Sequence, residues 1–272
     1  MKFTKMHGAG NDFIVINNIE EKIPVSELNG LAKKLCHRRL AIGADGFMVV
    51  DYPEFGGDYK MRFYNSDGSL GEMCGNGARC IARYGHEKGL AGEIQKIETI
   101  AGLVIGNKVT DSMYKIRLND VTTMEDMIVE VLGKEYTCVY VELGEPGIPH
   151  AVVQIEGLSN MEAKELYDLG VALRYCKAFP KGANVNFYDI VGEDELVELT
   201  YERGVEDFTL ACGTGTGSVV ASLTKKGLVS GNNVKVNVPG GELYITLDEK
   251  GLFLIGPTAI VAEGEINEKE LF

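Results

Sequence analysis

The chain has 272 residues, 45% of them apolar, enough for one large core or for two domains of about 130 residues each. A formal net charge of −13 excludes a general nucleic-acid binder, which needs a basic stripe, and favours solubility. No apolar run approaches the ~18 residues of a membrane span, and "MKFTKMHGAGNDF" carries no signal-peptide core, so a soluble cytoplasmic protein without membrane partners is expected.

From the N-terminus, strands are expected at 12–16 and 46–51. Between them "SELNGLAKKLCHRR" has its apolar residues at helical spacing, which predicts a helix over 26–39 with Ser26 as N-cap. "CIARYGHEK" reads as a central helix that ends at Gly89. Strands follow at 98–105 and 114–118, and the acidic stretch near 119–130 ("NDVTTMEDMI") is a candidate connection between halves. Beyond it come strands at 138–142 and 151–155, a helix over 161–175, and strands at 185–190 and 196–201. A second central helix, "SVVASLTKK", ends at Gly227, and strands at 234–238 and 243–247 complete the series. Both central helices place lysine in the last turn and glycine just beyond, as helix C-termini favour.

The six cysteines (Cys36, Cys74, Cys80, Cys138, Cys176, Cys212) include no Cys-x-x-Cys pair, and none of the four histidines stands at finger spacing from one. No structural zinc site is expected, and without a secretion signal no disulfide framework either. Cys36, Cys80, Cys138 and Cys176 read as small buried hydrophobes.

Cys74 and Cys212 are different, because their surroundings repeat. They lie 212 − 74 = 138 residues apart, close to half the chain. Each is followed by glycine, a small polar residue and glycine: Gly75-Asn76-Gly77 and Gly213-Thr214-Gly215. Fourteen residues beyond each cysteine begins the same tripeptide, Lys88-Gly89-Leu90 and Lys226-Gly227-Leu228. Weaker echoes upstream, "NDFIVI" with "PHAVVQI" and "GADGFMVV" with "GANVNFYDI", keep the same order. The echoes stand at an offset of 139, and four matches in the same order indicate a duplicated unit of about 138 residues.

Each cysteine therefore stands where a strand meets a helix. The positive end of the macrodipole is expected to stabilise a thiolate there, and glycines let a carboxylate approach the first-turn N–H groups. Two such sites facing one molecule suit a single reaction: one thiolate removes a proton from a carbon while the opposite thiol returns one to the other face, inverting the stereocentre. Neither the Gly-x-x-x-x-Gly-Lys-Ser/Thr nor the Gly-x-Gly-x-x-Gly phosphate pattern is present at these turns.

On these motifs the chain resembles the diaminopimelate epimerases, amino-acid epimerases that work without pyridoxal phosphate through two cysteines. "KMHGAGNDFIVIN" looks like the family's N-terminal signature, and "YNSDGSLGEMCGNGARC" and "YERGVEDFTLACGTGTG" look like its two active-site motifs. The resemblance implies an α/β (α+β) fold of two pseudo-symmetric domains, each a mainly antiparallel, barrel-like sheet around a central helix, with the site in the cleft between them. It implies a first domain of 1–118 plus 260–272, a second of 119–259, a homodimer, and no cofactor or metal. Cys74 and Cys212 would be the acid/bases, with His150 and Glu202 orienting and tuning them. Gly75, Asn76, Gly213 and Thr214 would hold the reacting carboxylate, and Asn11, Asn65, Asn184, Glu202 and Arg203 the far end of the substrate. The implied reaction converts LL-2,6-diaminopimelate to the meso form for lysine and peptidoglycan synthesis. Two positions depart from the common family pattern, Ile148 before the Pro-His pair and Phe208 before Thr209. They leave as an alternative a racemase of another amino acid, histidine first; a non-catalytic binding protein on the same scaffold is a separate alternative, against which the paired Cys74 and Cys212 speak.

Overall fold

A computed structural model describes residues 1–71 and 74–271, so Glu72 and Met73 of the first cysteine motif and the terminal Phe272 lie outside the described residues. The chain divides into two compact units, Met1–Ile116 with Gly256–Phe272 and Arg117–Ile255. No helix among the described residues is long and apolar enough to cross a membrane.

In the first unit β1 (Lys2–Gly8) and β2 (Asn11–Asn17) form an antiparallel hairpin. The short α1 (Asn18–Glu21) and α2 (Val25–Leu35) then cross to β3 (Gly46–Asp51), which pairs parallel with β2. β4 (Tyr59–Asn65) lies antiparallel to β3, and the two-residue β5 (Leu70–Gly71) folds back on β4 ahead of α3 (Gly75–Glu87). β6 (Ile94–Thr99) pairs parallel with β4, and β7 (Gly102–Lys108) and β8 (Met113–Arg117) continue antiparallel.

The second unit begins with the long antiparallel pair β9 (Val121–Val131) and β10 (Lys134–Leu143), and then repeats the first unit's order. β11 (Ile148–Gln154) is antiparallel to β10, and α4 (Tyr167–Arg174) crosses to β12 (Asn184–Gly192), parallel to β11. β13 (Glu195–Glu202) and the short β14 (Asp207–Thr209) precede α5 (Gly213–Lys225). β15 (Val234–Val238) is parallel to β13, and β16 (Gly241–Asp248) and β17 (Gly251–Pro257) follow antiparallel. β18 (Ala259–Glu265) then pairs antiparallel with β1 of the first unit. The parallel rungs fall at the same two places in each unit, so the repeat seen in the sequence is also a repeat of topology.

The two central helices are nearly all buried. Gly75–Ala82, Tyr84 and Gly85 of α3 are enclosed, as are Gly213 and Gly215–Leu223 of α5. With the helices enclosed on nearly every side, small residues let the strands approach. At Gly85 an added Cβ would lie 2.5 Å from Tyr59 Oη. That hydroxyl sits 2.6 Å from Gln95 Oε1 and 3.0 Å from the Ile81 carbonyl, while Gln95 Nε2 donates to Ala82 O at 2.7 Å. A buried Tyr–Gln pair thus ties β4 and β6 to the helix that follows Cys74.

Several sequence expectations shift. The run 98–105 is two strands, because the chain turns at 100–101 and Gly102 adopts φ +106°. The stretch 119–130 is strand β9 rather than a connection: its acidic residues face solvent and Val129 and Val131 are buried. Ser26 is not the cap of α2; Pro24 holds that position without a side-chain bond, and the helix ends at Leu35. The expected helix 161–175 is a 3₁₀ turn, Ala163–Leu166, followed by α4.

Replacing Tyr59 by Phe leaves the buried Gln95 carbonyl without its donor. The variant is expected to lose about 1–3 kcal/mol of unfolding free energy in urea titration while keeping the native circular dichroism.

Candidate active site

Cys74 and Cys212 occupy the same local position. Each is the N-cap of its central helix in extended conformation, with φ,ψ of −121°, 122° and −122°, 102°. Gly75-Asn76 and Gly213-Thr214 form the first turn of each helix.

Around Cys74 the side chains form a directed chain. Asn11 Nδ2 donates to Asp45 Oδ2 at 2.8 Å, which turns its Oδ1 toward the helix start. There Oδ1 accepts from the Cys74 thiol and from Asn76 Nδ2, both at 3.4 Å. Asn76 Oδ1 in turn accepts from Arg79 Nη2 at 2.9 Å. Arg79 is 0% exposed, and no carboxylate pairs with it among the described residues. Burial lowers its pKa to about 10, and the Cys80 and Cys74 thiols are the nearby groups that favour its charged form. Asn65, exposed at the end of β4, bonds to Ser69 Oγ at 2.9 Å and belongs to the 65–69 turn rather than to this chain.

In the second unit Cys212 is 8% exposed, and its thiol is pushed well above its ordinary range. Burial is the main cause and the Glu202 charge the next; the Thr214 hydroxyl and the Gly215 N–H favour the thiolate but are outweighed. The thiolate stabilisation expected from the helix dipole therefore does not prevail in this state, because desolvation in an enclosed site exceeds it. Cys212 Sγ lies 3.6 Å from Thr214 Oγ1.

His150 and Asn184 begin the second unit's parallel pair, on one rung of β11 and β12. Asn184 Nδ2 donates to Pro149 O at 3.1 Å, and its Oδ1 accepts the Arg203 N–H at 2.9 Å, which fixes the chain's turn after β13. Arg203 is exposed and its Nη1 donates to Lys181 O at 3.0 Å. His150 is fully buried and held neutral, its pKa lowered to about 4 by burial. Its Nδ1 meets Asn186 Oδ1 at 2.9 Å.

Sequence reasoning missed the residues below this histidine. Asn186 Nδ2 lies 3.0 Å from Glu198 Oε1 and 2.8 Å from Thr200 Oγ1, and Thr216 Oγ1 donates to Glu198 Oε2 at 2.6 Å. Glu198 is 1% exposed, and burial raises its pKa to about 7. The signal was present: in "ELVELTYE" the inward positions of strand alternation are Leu196, Glu198 and Thr200, and a charge on an inward face needs a reason. Of the two departures from the family pattern, Phe208 is a packing position: it stacks edge-on against Tyr201 at 5.6 Å and lies 6.2 Å from Phe187. Ile148 is half-buried and stands opposite Leu143 in the ladder of β10 and β11.

His150 and Glu198 act oppositely on stability. Between pH 4.5 and 6.5 the unfolded chain carries a protonated His150 and an ionised Glu198; the folded chain keeps both neutral. Unfolding takes up one proton and releases one, so their pH dependences cancel there. In Glu198→Gln only the histidine remains, the unfolded state binds more protons, and stability must rise with pH across the window. The limiting slope is about 1.4 kcal/mol per pH unit, read by urea titration at a series of pH values.

The profile of the diaminopimelate epimerase family matches residues 3–122 and 144–261. Curated relatives include the diaminopimelate epimerase of Aquifex aeolicus, 38% identical over all of this chain and 99% of that protein. That of Halothermothrix orenii is 34% identical over 98% of each. Among solved structures, a probable proline racemase from Agrobacterium radiobacter superposes with a TM-score of 0.72 at 16% identity, covering 98% of this chain and 93% of that one. A hydroxyproline epimerase from Agrobacterium vitis superposes with 0.68 at 16%, covering 100% and 95%. These last two share the fold; the family profile and the full-length match to the curated relatives make this chain a member of the diaminopimelate epimerase family.

Proposed function

We propose that this protein epimerises LL-2,6-diaminopimelate to meso-diaminopimelate by a two-base mechanism, with Cys74 and Cys212 as the bases. The observation that carries the reading is the paired placement of the two cysteines. Each caps a buried helix at equivalent points of a duplicated unit, in a chain whose full-length relatives bear this activity.

One cysteine as thiolate removes the α-proton, and the electron pair is delocalised into the α-carboxylate. The other cysteine, as thiol, gives its proton to the opposite face, so the two exchange protonation states in each turnover. The α-proton of an amino acid is a weak acid, and the developing charge on its carboxylate needs fixed donors. The first-turn N–H groups at Gly75-Asn76 and Gly213-Thr214 are suited to that task, each well-placed donor contributing about 3–4 kcal/mol to the barrier. The Arg203 guanidinium would pair with the distal carboxylate, and Asn11, Asn65, Asn184 and Glu202 would complete the amino-acid end. The Cys212 thiol is held protonated by desolvation, and the Cys74 thiol donates to Asn11 Oδ1. Substrate binding would then bring the charge that converts one of them. Because Phe208 serves aromatic packing, its departure from the family pattern does not speak for a different substrate.

The test is proton exchange. With LL-diaminopimelate in deuterated water the protein is expected to incorporate α-deuterium and form the meso isomer, and with histidine to do neither. Cys74→Ala and Cys212→Ala should each lower inversion by about 10²–10⁴-fold. Wild-type rates in either variant would refute the two-base assignment.

A second consequence concerns Glu202, whose charge holds the Cys212 thiol up. In Glu202→Gln the thiolate forms at lower pH, so Cys212 should react faster with iodoacetamide near neutrality, followed by peptide mass spectrometry.

A further inference from the structure

Under the first turn of α5, five polar side chains are buried together: His150, Asn186, Glu198, Thr200 and Thr216, none more than 3% exposed. Strand register identifies their counterparts in the first unit. The rung Phe13–Gly46 corresponds to His150–Asn184, Met48–Phe63 to Asn186–Thr200, and Val50–Met61 to Tyr188–Glu198. Ala78 stands four residues after Cys74, as Thr216 stands four after Cys212. The counterparts are thus Phe13, Met48, Phe63, Met61 and Ala78, all apolar. Met48 and Phe13 lie against Gly77, where an added Cβ would be 3.2 Å from the Met48 sulfur; Asn186 lies against Gly215 in the same way. The same topology therefore closes with an apolar set under Cys74 and a polar set under Cys212. Buried polar groups seldom add stability over a well-packed apolar set, so the polarity in the second unit has another purpose.

Its wiring has one direction. Both Asn186 N–H groups are engaged, by Glu198 Oε1 and Thr200 Oγ1, so the amide oxygen faces His150 Nδ1. An oxygen only accepts, so Nδ1 must carry the ring's proton. The neutral ring then has its lone pair on Nε2, which is buried and has no hydrogen-bond partner among the described residues. Glu198 keeps this orientation in either protonation state. Ionised, it accepts from Thr216; protonated on Oε2, it donates to Thr216 Oγ1, whose own hydrogen then turns to Cys212 O, 3.1 Å away. Oε1 faces Asn186 in both.

We infer that Asn186, Thr200, Glu198 and Thr216 are positioning residues that lock His150 in the Nδ1–H tautomer and so keep Nε2 as a buried acceptor for an incoming N–H or S–H donor. The first unit has no such acceptor at the equivalent position, where Phe13 stands, so the two halves are not interchangeable. The consequence for rate rests on the epimerase reading; the tautomer does not.

The test uses protein labelled with ¹⁵N at histidine. Imidazole spectra should show one ring, absent in His150→Phe, that is neutral with its proton on Nδ1 and stays so well below the ordinary range of histidine. Asn186→Met copies the first unit's residue and should fold. It should lose this tautomer preference and lower kcat for α-proton exchange by about 10²-fold, with a smaller change in KM. Asn186→Asp keeps the acceptor and should recover the tautomer and much of the rate. An Nε2–H ring in the wild type, or an Asn186→Met variant with the original tautomer or full kcat, would overturn the inference. A wild type that exchanges no amino acid would defeat the epimerase reading alone, and the spectra would still decide the tautomer.

Discussion

The site depends on one constraint, the start of a helix enclosed by a sheet. A helix end surrounded by strands has first-turn N–H groups away from bulk water and a positive potential that only nearby atoms can answer. Small residues are required for the strands to come close, which is why Gly75, Gly77, Gly213 and Gly215 flank the caps and why a small thiol stands at each. The same enclosure raises the cost of a thiolate. Burial outweighs the dipole at Cys212, and at Cys74 an oriented asparagine oxygen accepts the thiol proton.

Both units orient an asparagine with a carboxylate. Asp45 turns Asn11 so that its oxygen meets Cys74, and Glu198 turns Asn186 so that its oxygen meets His150. The two carboxylates differ in what surrounds them. Asp45 is exposed and paired with Arg38 at 2.6 Å, whereas Glu198 is sealed among hydroxyls and an amide. Asn186 and Glu198 answer in strand register to Met48 and Met61, not to Asn11 and Asp45, so the two units build the same device from non-equivalent positions and in two dielectric settings.

Much of this was legible in the sequence. The cysteine repeat, the glycine turns and the tripeptide closing each helix are local patterns of period 138, and they placed each cysteine where a strand meets a helix, although the helices begin at Gly75 and Gly213, five residues before the runs read as helical. Strands with strong β-branched character, such as 46–51 and 234–238, were readable end to end. Strand β9 was not, because its acidic residues imitate a linker and only pairing with β10 shows that its apolar residues share a face. Strands 98–105 merged because a turn centred on Ile100-Ala101 carries no proline or asparagine signal.

What the sequence determined by itself is the duplicated plan, the two cysteines and the family, since each rests on spacing along the chain. What only the tertiary structure decided is which side chains lie beneath those cysteines. Asn11, Asp45 and Cys74 meet across 63 and 34 residues of sequence, and Glu198 reaches His150 through Asn186 on an intervening strand. Register and parallel pairing set those meetings, and a one-residue slip of β12 or β13 would turn the polar set outward. The sense of the thiol shift was likewise a tertiary outcome, because desolvation depends on enclosure and the helix dipole does not.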